Sequence, residues 1–144
     1  MPEQKRNLLH RLGLRSRRAP RLGERELAVM SILWRGQPQS AVQVLEGMPT
    51  AGIRLSTVQS TLERLYRKGM ASREKEARAF VYSHRVPREE LIKILLRDIT
   101  RDIADGDLLP LISGFARYVA EDDEATAAAI EALLGAKSQA RDEP

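Results

Sequence analysis

The sequence LSTVQSTLERLYRKG at residues 55–69 predicts an amphipathic helix. Its apolar residues Val58, Leu62 and Leu65 are spaced by four and then three positions, so they form one stripe along a helix. The opposite face carries hydroxyl, amide and guanidinium groups, which suit the donors and acceptors that base pairs present in the major groove of DNA. By itself, such a face is more typical of an ordinary solvated helix, and the neighbouring sequence decides between the two interpretations.

Capping signals predict where two helices begin. A serine followed three residues later by glutamine forms a capping box, because the two side chains satisfy free backbone amides reciprocally. The pattern occurs at Ser40 with Gln43 and again at Ser56 with Gln59. Gly69 predicts the end of the helix that begins at Ser56, since glycine readily adopts the left-handed conformation that closes helices.

Two short runs after this helix, residues 70–75 and 79–83, predict a β-hairpin. Ala77 stands at its turn, which alanine can occupy if the tip is longer than two residues. The tip carries three cations, Arg73, Lys75 and Arg78. A capped polar helix followed by a cation-tipped hairpin is typical of a winged helix-turn-helix, in which the helix lies in the major groove and the hairpin, or wing, contacts phosphate.

The preceding sequence supplies the other elements of a winged helix. Residues 22–34 predict a first helix, with Gly23 as its N-cap and with Leu27 and Trp34 on its buried side. Residues 53–55 are long enough for one short strand that pairs with the hairpin. The predicted order is helix, helix, strand, helix, strand, strand.

Three apolar-striped helices are predicted after Pro87: one from Arg88, one capped by Asp107, and one that begins at residues 122–124 and ends near Gly135. Three short helices bury little apolar surface by themselves, so we expect the helices of two copies of the chain to interdigitate. A small intrachain bundle is the alternative. The expected dimer contacts are Leu91, Leu95, Ile99, Ile103, Leu108, Ile112, Phe115, Val119, Ile130 and Leu133.

Composition excludes several kinds of chemistry. The 144 residues contain no cysteine and two histidines, His10 and His84, so neither a thiolate metal site nor a histidine-based catalytic site is supported, and we expect no metal and no cofactor. No apolar run approaches the roughly 18 residues of a membrane span, and no signal peptide is visible, which favours a cytoplasmic protein without membrane insertion. Carboxylates are plentiful, but nothing pairs a nucleophile with a base, so we do not expect an enzyme.

Charge changes sign along the chain. Residues 1–21 carry a net charge of +6, residues 54–85 carry +5, and residues 86–144 carry −6, within a total of +4. A polyanion would be attracted by the first two segments and repelled by the last. We therefore predict a mainly α protein with a small β-wing, in four parts: a flexible basic arm (1–21), a winged-helix DNA-binding domain (22–86), a helical dimerisation domain (87–136) and a flexible tail (137–144).

Four segments, residues 22–34, 56–69, 73–83 and 111–115, together resemble the penicillinase repressors of the BlaI/MecI type and the related copper-responsive CopY repressors. The resemblance implies a dimeric winged-helix repressor that occupies a DNA operator and leaves it on a signal, with an upstream sensor or protease as a further partner. The β-lactam-responsive members are cleaved at an Asn-Phe bond that aligns near Asp98-Ile99, whereas the single asparagine of this chain is Asn7. The paired cysteines that bind copper in other members are absent.

On this basis we predict a sequence-specific repressor that binds a palindromic operator as a homodimer, because a two-fold protein matches a two-fold DNA site. The expected base-reading residues are Thr57, Gln59, Ser60 and Arg64. The expected phosphate contacts are Ser40, Arg54, Arg67, Lys68, Arg73, Lys75 and Arg78. The alternative is a winged-helix module for protein interaction or RNA binding, which is disfavoured because most of the six aromatic residues fall at predicted buried positions.

Overall fold

The chain forms two units in the computed structural model, which describes residues 18–141 and divides after Leu96. Nine elements lie within these residues: α1 (Glu24–Leu33), β1 (Gln39–Ser40), α2 (Ala41–Gly47), α3 (Leu55–Arg67), β2 (Ala71–Glu76), β3 (Ala79–His84), α4 (Arg88–Ile103), α5 (Leu108–Asp122) and α6 (Glu124–Arg141). The first unit holds α1 to β3 and the start of α4. The division lies ten residues beyond the boundary predicted at residue 86, within α4, whose first residues belong to the first unit.

The helix ends test the predicted capping groups. Ser40 caps α2 as predicted: its Oγ accepts from the Gln43 amide at 3.2 Å, and the Gln43 side chain accepts from the Ser40 amide at 2.8 Å. The box predicted at Ser56 is wrong, because the N-cap of α3 lies two residues earlier, at Arg54, which makes no side-chain cap. Gly69 closes α3 as predicted, with φ of +76°.

The three strands form an antiparallel sheet in the order β1-β3-β2. The prediction of a strand at residues 53–55 is wrong. The strand that pairs with β3 on the side away from β2 is β1, Gln39–Ser40, and its partner residues are Tyr82 and Val81. These two polar residues show no strand pattern, and their pairing is set by contact with a segment some forty residues away. The wing, β2 with β3, is continuous from the pair Ala71 and His84 to the pair Glu76 and Ala79.

The wing turn is tighter than expected. Only Ala77 and Arg78 separate the strands, so the condition under which alanine was expected to fit the turn, a tip longer than two residues, is not met. Ala77 adopts φ of +52°, a left-handed conformation that is unfavourable for alanine. The register of the wing therefore imposes backbone strain on one residue.

The core of the first unit is built from the inner faces of α1, α2 and α3 with the start of the wing. Its fully buried large side chains include Met30, Leu33, Leu62, Leu65 and Met70. Trp34 is half-buried against this cluster and donates its indole N–H to the Val86 carbonyl at 2.9 Å. Leu27, expected inside, is 42% exposed. The remaining core members are Val29, Ile32, Val44, Val58, Ala71, Tyr82, Val86 and Leu91.

In the second unit, α5 packs against α6. Asp107 caps α5 as predicted, its carboxylate accepting from the Leu109 amide at 3.0 Å. Asp123 joins the two helices and caps α6. The helix end predicted near Gly135 is wrong, since α6 continues to Arg141: Gly135 is not left-handed and good helix formers follow it. Residues 142–144 of the predicted tail lie outside the described residues. None of the helices in residues 18–141 is long and apolar enough to cross a membrane.

Candidate nucleic-acid interface

One face of α3 is buried and the opposite face is open. Val58, Thr61, Leu62 and Leu65 fix the buried face in the core. The side chains of Ser56, Gln59, Ser60, Arg64 and Arg67 are exposed on the other side, and Arg67 is 74% exposed. Three of the four predicted base-reading residues, Gln59, Ser60 and Arg64, therefore share this face, while Thr57 lies half-buried at its edge.

Two hydroxyl groups of α3 donate hydrogen bonds to its own backbone carbonyls. Ser60 donates to the Ser56 carbonyl at 2.9 Å, and Thr61 donates to the Thr57 carbonyl at 2.8 Å. Because its proton is used in this bond, the Ser60 hydroxyl is left chiefly as a hydrogen-bond acceptor for a group on DNA. Ser56 was assigned to the cap by its sequence pattern and was missed as a surface residue. Its true position follows from the start of α3 at Leu55.

The residues expected at phosphate, apart from Arg67, Lys68 and Arg73, occupy three kinds of position. Lys75 and Arg78 are exposed at the end of the wing, beside the exposed carboxylates Glu74 and Glu76. Arg54 is exposed at the N-terminus of α3. Ser40 is half-buried, and its hydroxyl serves as the cap of α2.

Lys68 makes contacts within the fold. Its ammonium lies 2.7 Å from a Glu26 carboxylate oxygen and donates to the Arg21 carbonyl at 2.8 Å. Glu26 is buried on α1, so this ion pair supplies the counter-charge that a buried carboxylate requires. Lys68 thereby ties the end of α3 to the segment before α1.

Arg73 is the centre of a cluster that joins α3 to the wing. Its guanidinium carbon lies 4.1 Å from the ring centroid of Tyr66 and 4.4 Å from that of Phe80. One of its amino groups forms an ion pair with Glu63, whose other oxygen lies 3.6 Å from Arg67 Nε. Stacked and paired in this way, Arg73 is 24% exposed.

The electrostatic surroundings of Arg73 keep it charged. Loss of solvent lowers the pKa of Arg73, but the hydrogen bond with Tyr82 and the negative charge of Glu63 outweigh that effect and raise the pKa above its ordinary value. Arginine is a permanent cation in proteins, and the carboxylate paired with Arg73, that of Glu63, is provided by α3.

The aromatic residues are more exposed than expected. Tyr66 and Phe80 are 38% and 41% exposed, and Phe115 and Tyr118 are 53% and 62% exposed, whereas Tyr82 is buried. The expectation that most aromatics are buried is therefore wrong. In the first unit, however, Arg73 covers one face of Tyr66 and one face of Phe80, and a base cannot stack on a face that is covered in this way.

The residues expected at a dimer contact are mostly exposed. Leu91 is the exception in the first unit, since it belongs to the winged-helix core. In the second unit, Val119 is 5% exposed and Ile130 is half-buried. The others are exposed by 43% or more: Leu95, Ile99, Ile103, Leu108, Ile112, Phe115 and Leu133.

Other predicted features fall at the margins of the structure. Most of the predicted basic arm, residues 1–17, lies outside the described residues. Of its last part, Ala19 packs against the core and Arg21 accepts from Lys68. No group of three or more histidine, aspartate and glutamate side chains within residues 18–141 is placed to hold a metal ion.

A helical core with an exposed polar helix, followed directly by a two-stranded basic wing, defines the class of this protein as a winged-helix transcriptional regulator of the DNA-binding type. The chain belongs to the penicillinase repressor family, whose model matches residues 22–136. This family consists of transcriptional repressors rather than enzymes.

Individual relatives are more distant. The chain is 25% identical over 100 residues to the penicillinase repressor of Bacillus licheniformis, which covers 69% of this chain and 78% of the relative. It is 34% identical over 88 residues to the transcriptional regulator BlaI of Mycobacterium tuberculosis, which covers 60% of this chain and 64% of that one. Among solved structures, it resembles the monomeric form of Bacillus licheniformis BlaI in complex with the blaP half-operator, with 28% identity, a TM-score of 0.43, and coverage of 51% of this chain and 90% of the other.

Proposed function

We propose that two copies of this chain bind a palindromic operator and repress transcription by blocking RNA polymerase at the promoter. Each copy inserts α3 into the major groove of one half-site, and the wing lies on the adjoining phosphates. Release follows a signal that weakens the dimer or its hold on DNA. As a DNA-bound regulator, the protein acts in the cytoplasm at the nucleoid.

The observation that carries this proposal is the outer face of α3. Ser56, Gln59, Ser60 and Arg64 are exposed along it, while the helix is anchored by four buried residues on its inner side. A helix held in this way presents hydrogen-bonding groups at fixed positions, which is the requirement for direct reading of base edges. Lys75 and Arg78 extend the cationic surface beyond the end of the helix.

The homodimer is supported by the exposed apolar surface of the second unit. Ile103 is 80% exposed, Leu109 is 67% exposed and Leu133 is 68% exposed. Exposed apolar residues at this density are typical of an interaction surface rather than of a monomer. A second copy offers the same surface, and the two-fold axis that relates the copies matches the symmetry of a palindrome.

A signal that dissociates the dimer would also end repression, because each half-site alone offers half of the phosphate contacts. The bond Asp98-Ile99, near which the cleavage place of β-lactam-responsive relatives aligns, lies inside α4, and Ile99 is 44% exposed. We propose that the sensor or protease upstream of this chain acts on the second unit, where the copies associate.

The test is selection of binding sites from a random duplex library by the purified full chain, followed by genome-wide mapping of occupied sites. We expect an enriched motif with two inverted half-sites separated by about one helical turn, and a complex that contains two chains. A gel shift with matched RNA provides the control for the alternative function. Enrichment of no motif, or equal affinity for RNA and duplex DNA, contradicts the proposal.

A further inference from the structure

Glu63 is an acidic residue on a helix face that is proposed to meet a polyanion. It lies between Gln59 and Arg67 in successive turns of α3 and retains 32% of its side-chain exposure. A free carboxylate at this position would be repelled by phosphate. Its charge is instead matched by two guanidinium groups, those of Arg67 on the same helix and Arg73 on β2.

The two cations differ in how firmly they hold Glu63. Arg67 lies 3.6 Å from its carboxylate and is 74% exposed, so this pair is weak and mobile. Arg73 is 24% exposed, lies over the rings of Tyr66 and Phe80, and forms an ion pair with Glu63. The rings lie on α3 and β3, and Arg73 lies on β2, so one side chain fixes the wing and the carboxylate relative to the helix.

This arrangement leaves the carboxylate with a defined chemical preference. Each carboxylate oxygen has a further lone pair after accepting from one arginine, so Glu63 can still accept a hydrogen bond. In the major groove, the amino group of cytosine is the donor that glutamate pairs with, whereas guanine presents only acceptors there. A fixed acceptor therefore favours cytosine over guanine as the base that it contacts.

Resting on the proposed function, we propose that Glu63 is a specificity-determining residue that reads a base amino group, and that Arg73 is the positioning residue that aims it rather than a phosphate contact. Arg73 lies over two aromatic rings, is paired with Glu63 and is 24% exposed, which leaves little of its surface for a phosphate. This role differs from the phosphate contact that the sequence alone predicts.

The experiment uses the full chain and four variants: Glu63→Gln, Arg73→Gln, Arg73→Lys, and Arg78→Gln as the phosphate control. The probes are the duplex selected by the wild type from a random library and derivatives with single base-pair replacements. Binding is measured by fluorescence anisotropy at several KCl concentrations. Circular dichroism and urea unfolding establish that each variant is folded, and the two conservative variants, Glu63→Gln and Arg73→Lys, keep the test possible if Arg73→Gln is unstable.

We expect Glu63→Gln to lose roughly 5- to 150-fold of its discrimination at one base pair of each half-site and to keep wild-type discrimination elsewhere. Both Arg73 variants should relax the same base pair, since lysine retains the charge but not the planar stacked geometry. The salt slope should change little in either. Arg78→Gln should instead lower the slope by about one unit per subunit and leave discrimination intact.

Two results would overturn this inference. One is wild-type discrimination at every position in Glu63→Gln. The other is a slope that falls by about one unit per subunit in Arg73→Gln and is restored in Arg73→Lys, because that pattern identifies a phosphate contact. Failure of the wild type to enrich any motif would overturn the proposed function itself, and is distinguishable from both.

Discussion

Ala77 bears the clearest backbone constraint in the wing. The pairing of Glu76 with Ala79 leaves a two-residue connection, and its first residue must turn with φ of +52°. Glycine, asparagine and aspartate are the residues that tolerate such turns well. Alanine at this position indicates that the hairpin is held by its flanking strands and by the cluster around Arg73 rather than by the turn.

We predict that Ala77→Gly stabilises the first unit by about 1 kcal/mol, because glycine removes the steric cost of the left-handed conformation. Urea unfolding, monitored by Trp34 fluorescence, measures the change. Ala79→Gly is the matched control: the same methyl group is removed two residues later, within β3, and stability should fall. Equal effects of the two substitutions would show that the turn is not strained.

At the scale of elements, local signals predicted ends better than partners. The box at Ser40 and the closure at Gly69 were confirmed, since each involves residues within a few positions of one another. The strand β1 was missed because its two residues are extended only through their pairing with Val81 and Tyr82, which are distant in sequence. The Arg73 cluster was likewise invisible, because it joins residues of α3, β2 and β3 whose proximity only the folded wing creates.

The two predicted capping boxes provide a direct comparison. We expect Ser40→Ala to lower the free energy of unfolding by about 1 kcal/mol, since it removes the cap of the short helix α2. Ser56→Ala should change stability by less than about 0.5 kcal/mol, because Ser56 is exposed and caps nothing. Urea unfolding of both variants checks this, and a destabilisation by Ser56→Ala as large as that by Ser40→Ala would contradict it.

Asp123 is expected to make the second unit sensitive to acid. The hydrogen bond from the Thr126 hydroxyl and the amides at the start of α6 lower the pKa of Asp123 below its usual range. A carboxyl group with a lowered pKa stabilises the folded state above its unfolded pKa, and this contribution is lost as pH falls through the folded pKa. Asp123→Asn should therefore lower the melting temperature at neutral pH.

The same comparison at acidic pH provides the control for Asp123. Once the carboxyl is protonated in both states, its charge-dependent contribution disappears, so wild type and Asp123→Asn should melt at similar temperatures at a pH below the folded pKa of Asp123. Thermal melts followed by circular dichroism at neutral and acidic pH measure both differences. A difference that is constant with pH would show that the carboxylate charge does not contribute.

At the scale of the whole molecule, charge and apolar surface are distributed unequally. The segment that contains α3 and the wing is positive, at +5 for residues 54–85, and residues 86–144 are negative, at −6. The negative segment also contains most of the exposed large apolar side chains of the described residues. Both features were predictable, because charge and helical periodicity are read from the sequence, whereas the burial of Leu91 in the first unit depends on the path of α4.

The proposed dimer predicts the effect of a charge placed in its contact surface. Ile112 is 59% exposed on α5, so Ile112→Lys should leave the fold of each chain intact. In a dimer, each copy would bury an unpaired ammonium group, and this cost weakens association by at least about 100-fold. Sedimentation velocity should show a monomer, and the salt dependence of DNA binding should fall to roughly half, because one chain contacts one half-site.

Leu27→Lys separates this effect from a general effect of added charge. Leu27 is an apolar residue of similar exposure, 42%, but it lies on α1 in the first unit. The same gain of one positive charge there should leave the dimer intact and raise DNA affinity slightly, if at all. If the Ile112→Lys protein remains dimeric at micromolar concentration, the subunit contact lies on another surface. The signal that ends repression would then act on that surface rather than on α5.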